Sequence, residues 1–218
     1  MTTPEPQPLL HESVHVGAAR LATRHRGRFS TETVQALILD SYQRLAATAR
    51  VTAHLNVLAE RLAAERLDAL ASIQQAPDSR SPRVLFVCTQ NSGRSQIAAA
   101  LLAHHATGPV TVSSAGTEPV ADVESDLARV LHEVGVDLGP AYPKPLTQEV
   151  VEAADIVVTL GCGDACPVVP GKRYLDWPTA DPHGASLEDL RHIRDTIDTH
   201  VGDLVAFLAS PSITTETK

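Results

Sequence analysis

The chain is poor in aromatic side chains: three Phe, three Tyr and one Trp in 218 residues, with a single Met. Its core must therefore be mostly aliphatic. Positive charge is also scarce. Eighteen Lys and Arg stand against 26 Asp and Glu, a formal net charge of -8, which argues against non-specific nucleic-acid binding. No run approaches the ~18 apolar residues of a membrane span. The first thirty residues hold no uninterrupted apolar stretch of signal-peptide type. The expectations are a cytoplasmic location and neither a membrane nor a nucleic-acid partner. No G-x-G-x-x-G follows a strand, so no flavin or nicotinamide cofactor is expected. Cysteine occurs only at Cys88, Cys162 and Cys166. An odd count in such a chain disfavours a structural disulfide framework and leaves thiol chemistry or a metal site.

The chain is long enough for one medium domain, or for a domain of about 130–150 residues with a small extra one. Its texture favours the second. Residues 1–75 read as an N-terminal helical bundle with a frayed polar start. Ser30 is a plausible N-cap, and Val34, Leu37, Ile38, Tyr42 and Leu45 follow on one face. Leu55, Leu58, Leu62 and Ala69 form a second stripe, with Glu60, Arg61, Glu65, Arg66 and Asp68 largely off it. A third helix is expected over 14–23. Residues 76–83 are a polar, proline-bearing linker, 84–210 the main domain and 211–218 a tail. In the main domain strands (84–87, 110–113, 156–160, 173–175) alternate with helices (92–105, 124–134, 147–153, 187–208). That order implies a parallel sheet covered on both faces, with ligands at the carboxyl ends of its strands.

The segment Val84-Leu-Phe-Val-Cys-Thr-Gln-Asn-Ser-Gly-Arg-Ser95 says most about chemistry. An apolar strand leads into Cys88, then into a small polar loop, then into Arg94, Ser95 and a helical run. Free N–H groups and the helix dipole favour negative charge at such a place. A thiol at a helix N-terminus beside an arginine can fall from a pKa of about 8.5 to roughly 3.5–7.5. The loop is therefore expected to bind a tetrahedral oxyanion and attack it with sulfur. Cys88 is the expected nucleophile. The N–H groups of Thr89, Gln90, Asn91, Ser92, Gly93, Arg94 and Ser95 bind the anion's oxygens together with a bidentate Arg94 guanidinium. Ser95 is expected to hydrogen-bond the thiolate and Asn91 to hold the loop's shape.

Two further segments bear on the reaction. An oxygen expelled by Cys88 must be protonated as it leaves, and Asp181, before Pro182 on an expected loop, can supply the proton. Asp176 is the reserve. Cys162 and Cys166, four apart after a strand, can close a disulfide. The lesser alternatives are half of a zinc site, for which His183 is the one nearby imidazole, and a pair of inert thiols. A redox relay fits the three-thiol set best, and no metal is expected.

These pieces, with Ser114-Ala-Gly116, Gly161-Cys-Gly-Asp-Ala-Cys-Pro167 and Asp181-Pro182, resemble the low-molecular-weight tyrosine phosphatase fold and, within it, the three-cysteine arsenate reductases. The resemblance covers residues 83–210. It implies an α/β fold with a flavodoxin-like four-stranded parallel sheet, helices on both faces, behind a small all-α bundle. It implies Cys88, Arg94 and Asp181 as catalytic positions and Cys162 and Cys166 as resolving thiols, through Cys88–Cys162 and then Cys162–Cys166 disulfides. The implied partners are arsenate and thioredoxin, or a mycothiol/mycoredoxin system. The helical part resembles the extension of some actinobacterial members, which suggests a homodimer through the N-terminal helices. Some members keep a potassium-site glutamate where this chain has Ala99, so potassium activation is not expected. Two rivals stand beside this reading. A tyrosine phosphatase needs the same loop but neither Cys162 nor Cys166. A non-enzymatic metalloid sensor needs the three thiols but neither the Arg94 loop nor the acid.

Overall fold

A computed structural model of the chain describes residues 8–50, 54–75, 80–163 and 166–210. The first seven residues of the expected frayed start, residues 76–79 of the expected linker and the tail at 211–218 lie outside that description. The chain divides into two compact units, Met1–Ala76 with Thr147–Ala153, and Pro77–Leu146 with Ala154–Lys218.

The first unit is helical: α1 (Pro8–Arg24), α2 (Thr31–Ala46), α3 (Leu55–Ile73) and the short α6 (Gln148–Ala153). The Ser30 hydroxyl caps α2 by accepting from the Thr33 N–H at 3.2 Å, which satisfies an N–H the helix itself cannot. Val14, Ala18, Leu21, Val34, Ile38, Ala63 and Leu67 form the apolar centre. Arg66 departs from the expected pattern. It lies buried, donating to Asp40 Oδ2 at 2.6 Å and Ser41 Oγ at 2.9 Å and pairing with Glu149. A guanidinium is tolerated there because its charge is fully matched. Burial alone would push the Asp40 carboxyl up, but hydrogen bonds from Arg44 and Arg66 outweigh it and hold the group below the usual carboxylate range.

The second unit contains β1 (Arg83–Cys88), α4 (Arg94–His105), β2 (Thr111–Gly116), α5 (Leu127–His132), β3 (Ile156–Thr159), β4 (Arg173–Asp176) and α7 (Leu187–Ala209). The strands form one sheet in the order β2-β1-β3-β4, every pair parallel. This is the four-stranded parallel sheet with helices that the sequence implies. Five of the six residues of β1 are buried, as a strand covered on both faces requires. Phe86, Ile97, Leu101, Leu131, Val158 and Ile197 fill the core. Helix α7 begins with a reciprocal capping box between Ser186 and Asp189.

Register places the chemistry. Cys88 pairs with Gly116, Val87 with Thr159, and Thr159 with Asp176. The carboxyl ends of all four strands therefore lie side by side, and each opens into a loop there. The order reverses at central β1, where ligands of open α/β sheets bind. One expectation is corrected: the helix read over 124–134 is only Leu127–His132. Residues 124–127 close a tight turn instead, in which the Leu127 N–H donates to the Glu124 carbonyl at 3.1 Å.

Candidate active site

The loop after β1 is held from outside by the chain that follows β2. The N–H groups of Thr117, Glu118, Val120 and Glu124 donate to the carbonyls of Cys88, Thr89, Gln90 and Ser92, at 3.2, 2.8, 3.2 and 3.1 Å. Carbonyls tied outward turn the loop's own N–H groups inward. One of them, from Asn91, donates to Cys88 Sγ at 3.2 Å. The Ser95 hydroxyl lies 3.0 Å from the same sulfur. Cys88 is almost fully buried, yet its sulfur sits among polar groups and it is the one free cysteine.

Asn91 gives the loop its turn. It is the one non-glycine residue with positive φ among the described residues, at 52°, a conformation asparagine tolerates better than most. Its Nδ2 donates to Ser95 Oγ at 2.8 Å, and its Oδ1 accepts from the Lys144 N–H at 3.0 Å and from Gln96 Nε2 at 3.2 Å. Gln96 is a residue that sequence reasoning missed. Its buried amide also donates to the Asn91 carbonyl and the Tyr142 carbonyl, each at 3.0 Å. The available signal was a lone amide at the head of an Ala/Leu/Ile helical run.

Two glycines are required by space. A Cβ on Gly116 would stand 2.7 Å from the Thr89 carbonyl oxygen. A Cβ on Gly93 would stand 2.3 Å from Pro182 Cγ. The segment bearing Asp181 thus sits directly on the loop that holds Cys88. Arg94, 8% exposed, reaches the Thr179 carbonyl with Nη1 at 3.4 Å and comes within 3.8 Å of Asp181 Oδ2 with Nη2. Asp181 is solvent-facing and accepts from the His183 N–H at 3.1 Å. His183 Nδ1 is 3.1 Å from Glu124 Oε1. Asp176, the reserve acid, accepts from the Thr159 hydroxyl at 2.6 Å. Asp181 is therefore the carboxylate beside the loop arginine.

Cys162 and Cys166 are joined in a disulfide, with Cα atoms 6.2 Å apart. Cys162 is buried and Cys166 partly exposed. Gly161, next to Cys162, accepts from the Thr89 hydroxyl at 3.3 Å through its carbonyl. With φ of +74° and a would-be Cβ 2.5 Å from Arg94 Nη1, it accepts no other residue without strain. The thiol pair is thereby tied to both ends of the Cys88 loop. No cluster of three or more metal-ligating side chains occurs among the described residues.

Residues 83–212 match the low molecular weight phosphotyrosine protein phosphatase family. The chain belongs to that family. Residues 14–71 match a protein-tyrosine-phosphatase-like N-terminal domain. Among solved structures of the family's fold, the thioredoxin-dependent arsenate reductase of Corynebacterium glutamicum superposes with a TM-score of 0.80 at 41% identity, over 90% of this chain and 96% of that one. The glutaredoxin arsenate reductase of Synechocystis is 33% identical over 127 residues, 57% of this chain and 96% of its own. An arginine phosphatase from Geobacillus stearothermophilus superposes with a TM-score of 0.52 at 28% identity, over 58% of this chain and 92% of that one. Relatives of this phosphatase family thus include both reductases and a hydrolase.

Proposed function

We propose that the chain reduces arsenate to arsenite with Cys88 as nucleophile and Cys162 and Cys166 as an internal thiol relay. The observation that carries this reading is the Cys162–Cys166 disulfide, whose neighbour Gly161 accepts from Thr89 and lies against Arg94. Hydrolysis of a phosphoester has no use for a thiol pair there.

The steps of this reading use the groups described above. The inward N–H groups and Arg94 hold arsenate over Cys88 Sγ. The Asn91 N–H donates to Cys88 Sγ and the Ser95 hydroxyl lies 3.0 Å from it, and together they hold the sulfur in place for attack. Sulfur attacks As(V), a sulfur–arsenic bond forms, and one oxygen leaves as water after taking a proton from Asp181. The Cys162 thiolate then attacks Cys88 Sγ. The sulfur–arsenic bond breaks, its electron pair reduces As(V) to As(III), arsenite leaves and a Cys88–Cys162 disulfide remains. Attack by the Cys166 thiolate on Cys162 frees Cys88 and leaves the Cys162–Cys166 bond, the state with Cys88 free that the structure holds. A dithiol protein of the thioredoxin type returns the pair to thiols. Thiols must be kept reduced between turnovers, which suits a cytoplasmic compartment.

The test is a coupled assay with arsenate, thioredoxin, thioredoxin reductase and NADPH. Turnover is expected in the parent and is expected to vanish in Cys88→Ser, Cys162→Ser and Cys166→Ser, each alone. Full turnover in the last two would hand the resolving step to a small thiol such as mycothiol. Hydrolysis of p-nitrophenyl phosphate without arsenate turnover would make the chain a phosphatase. To the N-terminal helices α1, α2 and α3 we assign self-association as a homodimer, in which Val16 on α1 and Val57 on α3, both apolar and largely exposed, would be covered. Sedimentation of Val57→Glu tests this: a monomer is expected where the parent is a dimer.

A further inference from the structure

The most exposed large apolar side chain among the described residues is Val168, at 80%. It lies in Cys166-Pro-Val-Val-Pro170, two residues beyond the outer sulfur of the disulfide. Its exposure is built in. The Tyr174 hydroxyl on β4 donates to the Pro167 carbonyl at 2.9 Å and accepts from the Val169 N–H at 2.9 Å. Residues 167 and 169 are thereby drawn onto the sheet edge, and Val168 between them stands clear. Prolines on both sides limit the backbone further. A lone exposed valine is ordinary on a protein surface; what distinguishes Val168 is its fixed place two residues from the outer sulfur of the disulfide.

We propose that the tip formed by Pro167, Val168 and Pro170 is the docking surface for the dithiol protein that reduces the Cys162–Cys166 disulfide. This rests on the arsenate-reductase reading above. The occupant is fixed by chemistry. Cys88 and Cys162 are buried, and Cys166 is partly open. An external thiolate can therefore reach the bond from the Cys166 side. It attacks Cys166 Sγ, forms a mixed disulfide and expels Cys162 as a thiolate, which takes up a proton. The second thiolate of the partner attacks the partner's own sulfur in the mixed disulfide and releases Cys166. Two electrons pass to this chain, and the partner leaves as a disulfide. Val168, two residues from Cys166 and 80% exposed, is open to a protein that reaches that sulfur. A partner with an apolar rim around its cysteine gains from covering Val168, whereas a small thiol does not need it.

The experiment compares arsenate turnover by the full chain and by its Val168→Asp and Val168→Ala variants, driven either by thioredoxin or by dithiothreitol. The expected result is a rise of about tenfold in the KM for thioredoxin in Val168→Asp and a smaller rise in Val168→Ala, with dithiothreitol-driven turnover unchanged. Equal losses with both reductants would overturn the docking surface, because residue 168 would then act on the relay itself. An unchanged KM for thioredoxin overturns it as well. A parent that works with dithiothreitol but not with thioredoxin overturns the docking surface and leaves arsenate reduction standing. A parent inactive with every thiol overturns both.

Discussion

The contact between Gly93 and Pro182 sets how closely the Asp181 segment approaches the Cys88 loop. Gly93 has φ of -137°, so a left-handed backbone is not what demands glycine; space is. In Gly93→Ala the new methyl would stand 2.3 Å from Pro182 Cγ. Ordinary van der Waals contact begins at 3.4 Å, so the two segments must part by about 1.1 Å. A misplacement of about 1 Å at a reacting group can cost roughly 10²-fold in rate, or about 2.7 kcal/mol in the barrier. Gly93→Ala is therefore expected to lower kcat for arsenate, driven by dithiothreitol, about a hundredfold. Dithiothreitol is the right reductant because it bypasses partner docking. Adding Pro182→Ala removes the clashing Cγ and should recover part of the rate in the double variant. A Gly93→Ala enzyme within about threefold of the parent, or a double variant no faster than Gly93→Ala alone, would refute this reasoning; the threefold limit is well under the tenfold that ~1.4 kcal/mol represents.

Two further substitutions probe the scaffold. Asn91→Ala removes three buried amide hydrogen bonds, to Ser95, Lys144 and Gln96. At roughly 1 kcal/mol each it should destabilise the chain by about 3 kcal/mol in urea unfolding. Glu133 is gripped by Arg191 through two bonds of 2.7 and 2.8 Å, and the hydrogen bond from that guanidinium holds its carboxyl down at about 2. A depressed carboxylate adds stability above its unfolded value, and that stability is lost as pH falls through the folded one. Arg191→Gln should therefore be less stable than the parent above about pH 4.5, with the gap closing as pH drops toward 2. A Glu133 carbon resonance that titrates near 4.5 in the parent would contradict it.

Strand, loop and helix over 84–105 were legible because period and order agree there: four buried apolar residues, a polar loop, then an Ala/Leu run. Strands β1 and β3 could be placed from their apolar runs, and the alternation of strand and helix implied a parallel sheet. Side-chain partners far apart in sequence were not legible. Arg66 sits among charged residues on α3, and nothing local says that Asp40 and Glu149 will meet it and allow it inside. Gln96 reads as one more helical residue until Asn91 and Tyr142 are brought to it. The start of α5 was misplaced for a related reason. Thr117, Glu118, Val120 and Glu124 give their N–H groups to carbonyls of the Cys88 loop, and a local helical pattern carries no record of that tie. The residues named for the site were easier to read, since Cys88, Asn91, Arg94 and Ser95 share one loop. The structure then brings Asp181 to Arg94 and Gly161 to Thr89.

Transfer of electrons through sulfur is tested most directly by a single turnover of Cys166→Ser. The fully reduced variant is mixed with arsenate without any other thiol, quenched with an alkylating agent and digested, and the peptides are identified by mass. The predicted result is one arsenite released for each chain, with Cys88 and Cys162 joined to each other. Unconsumed arsenate with Cys88 and Cys162 both alkylated, or arsenite release without a Cys88–Cys162 bond, would contradict the relay.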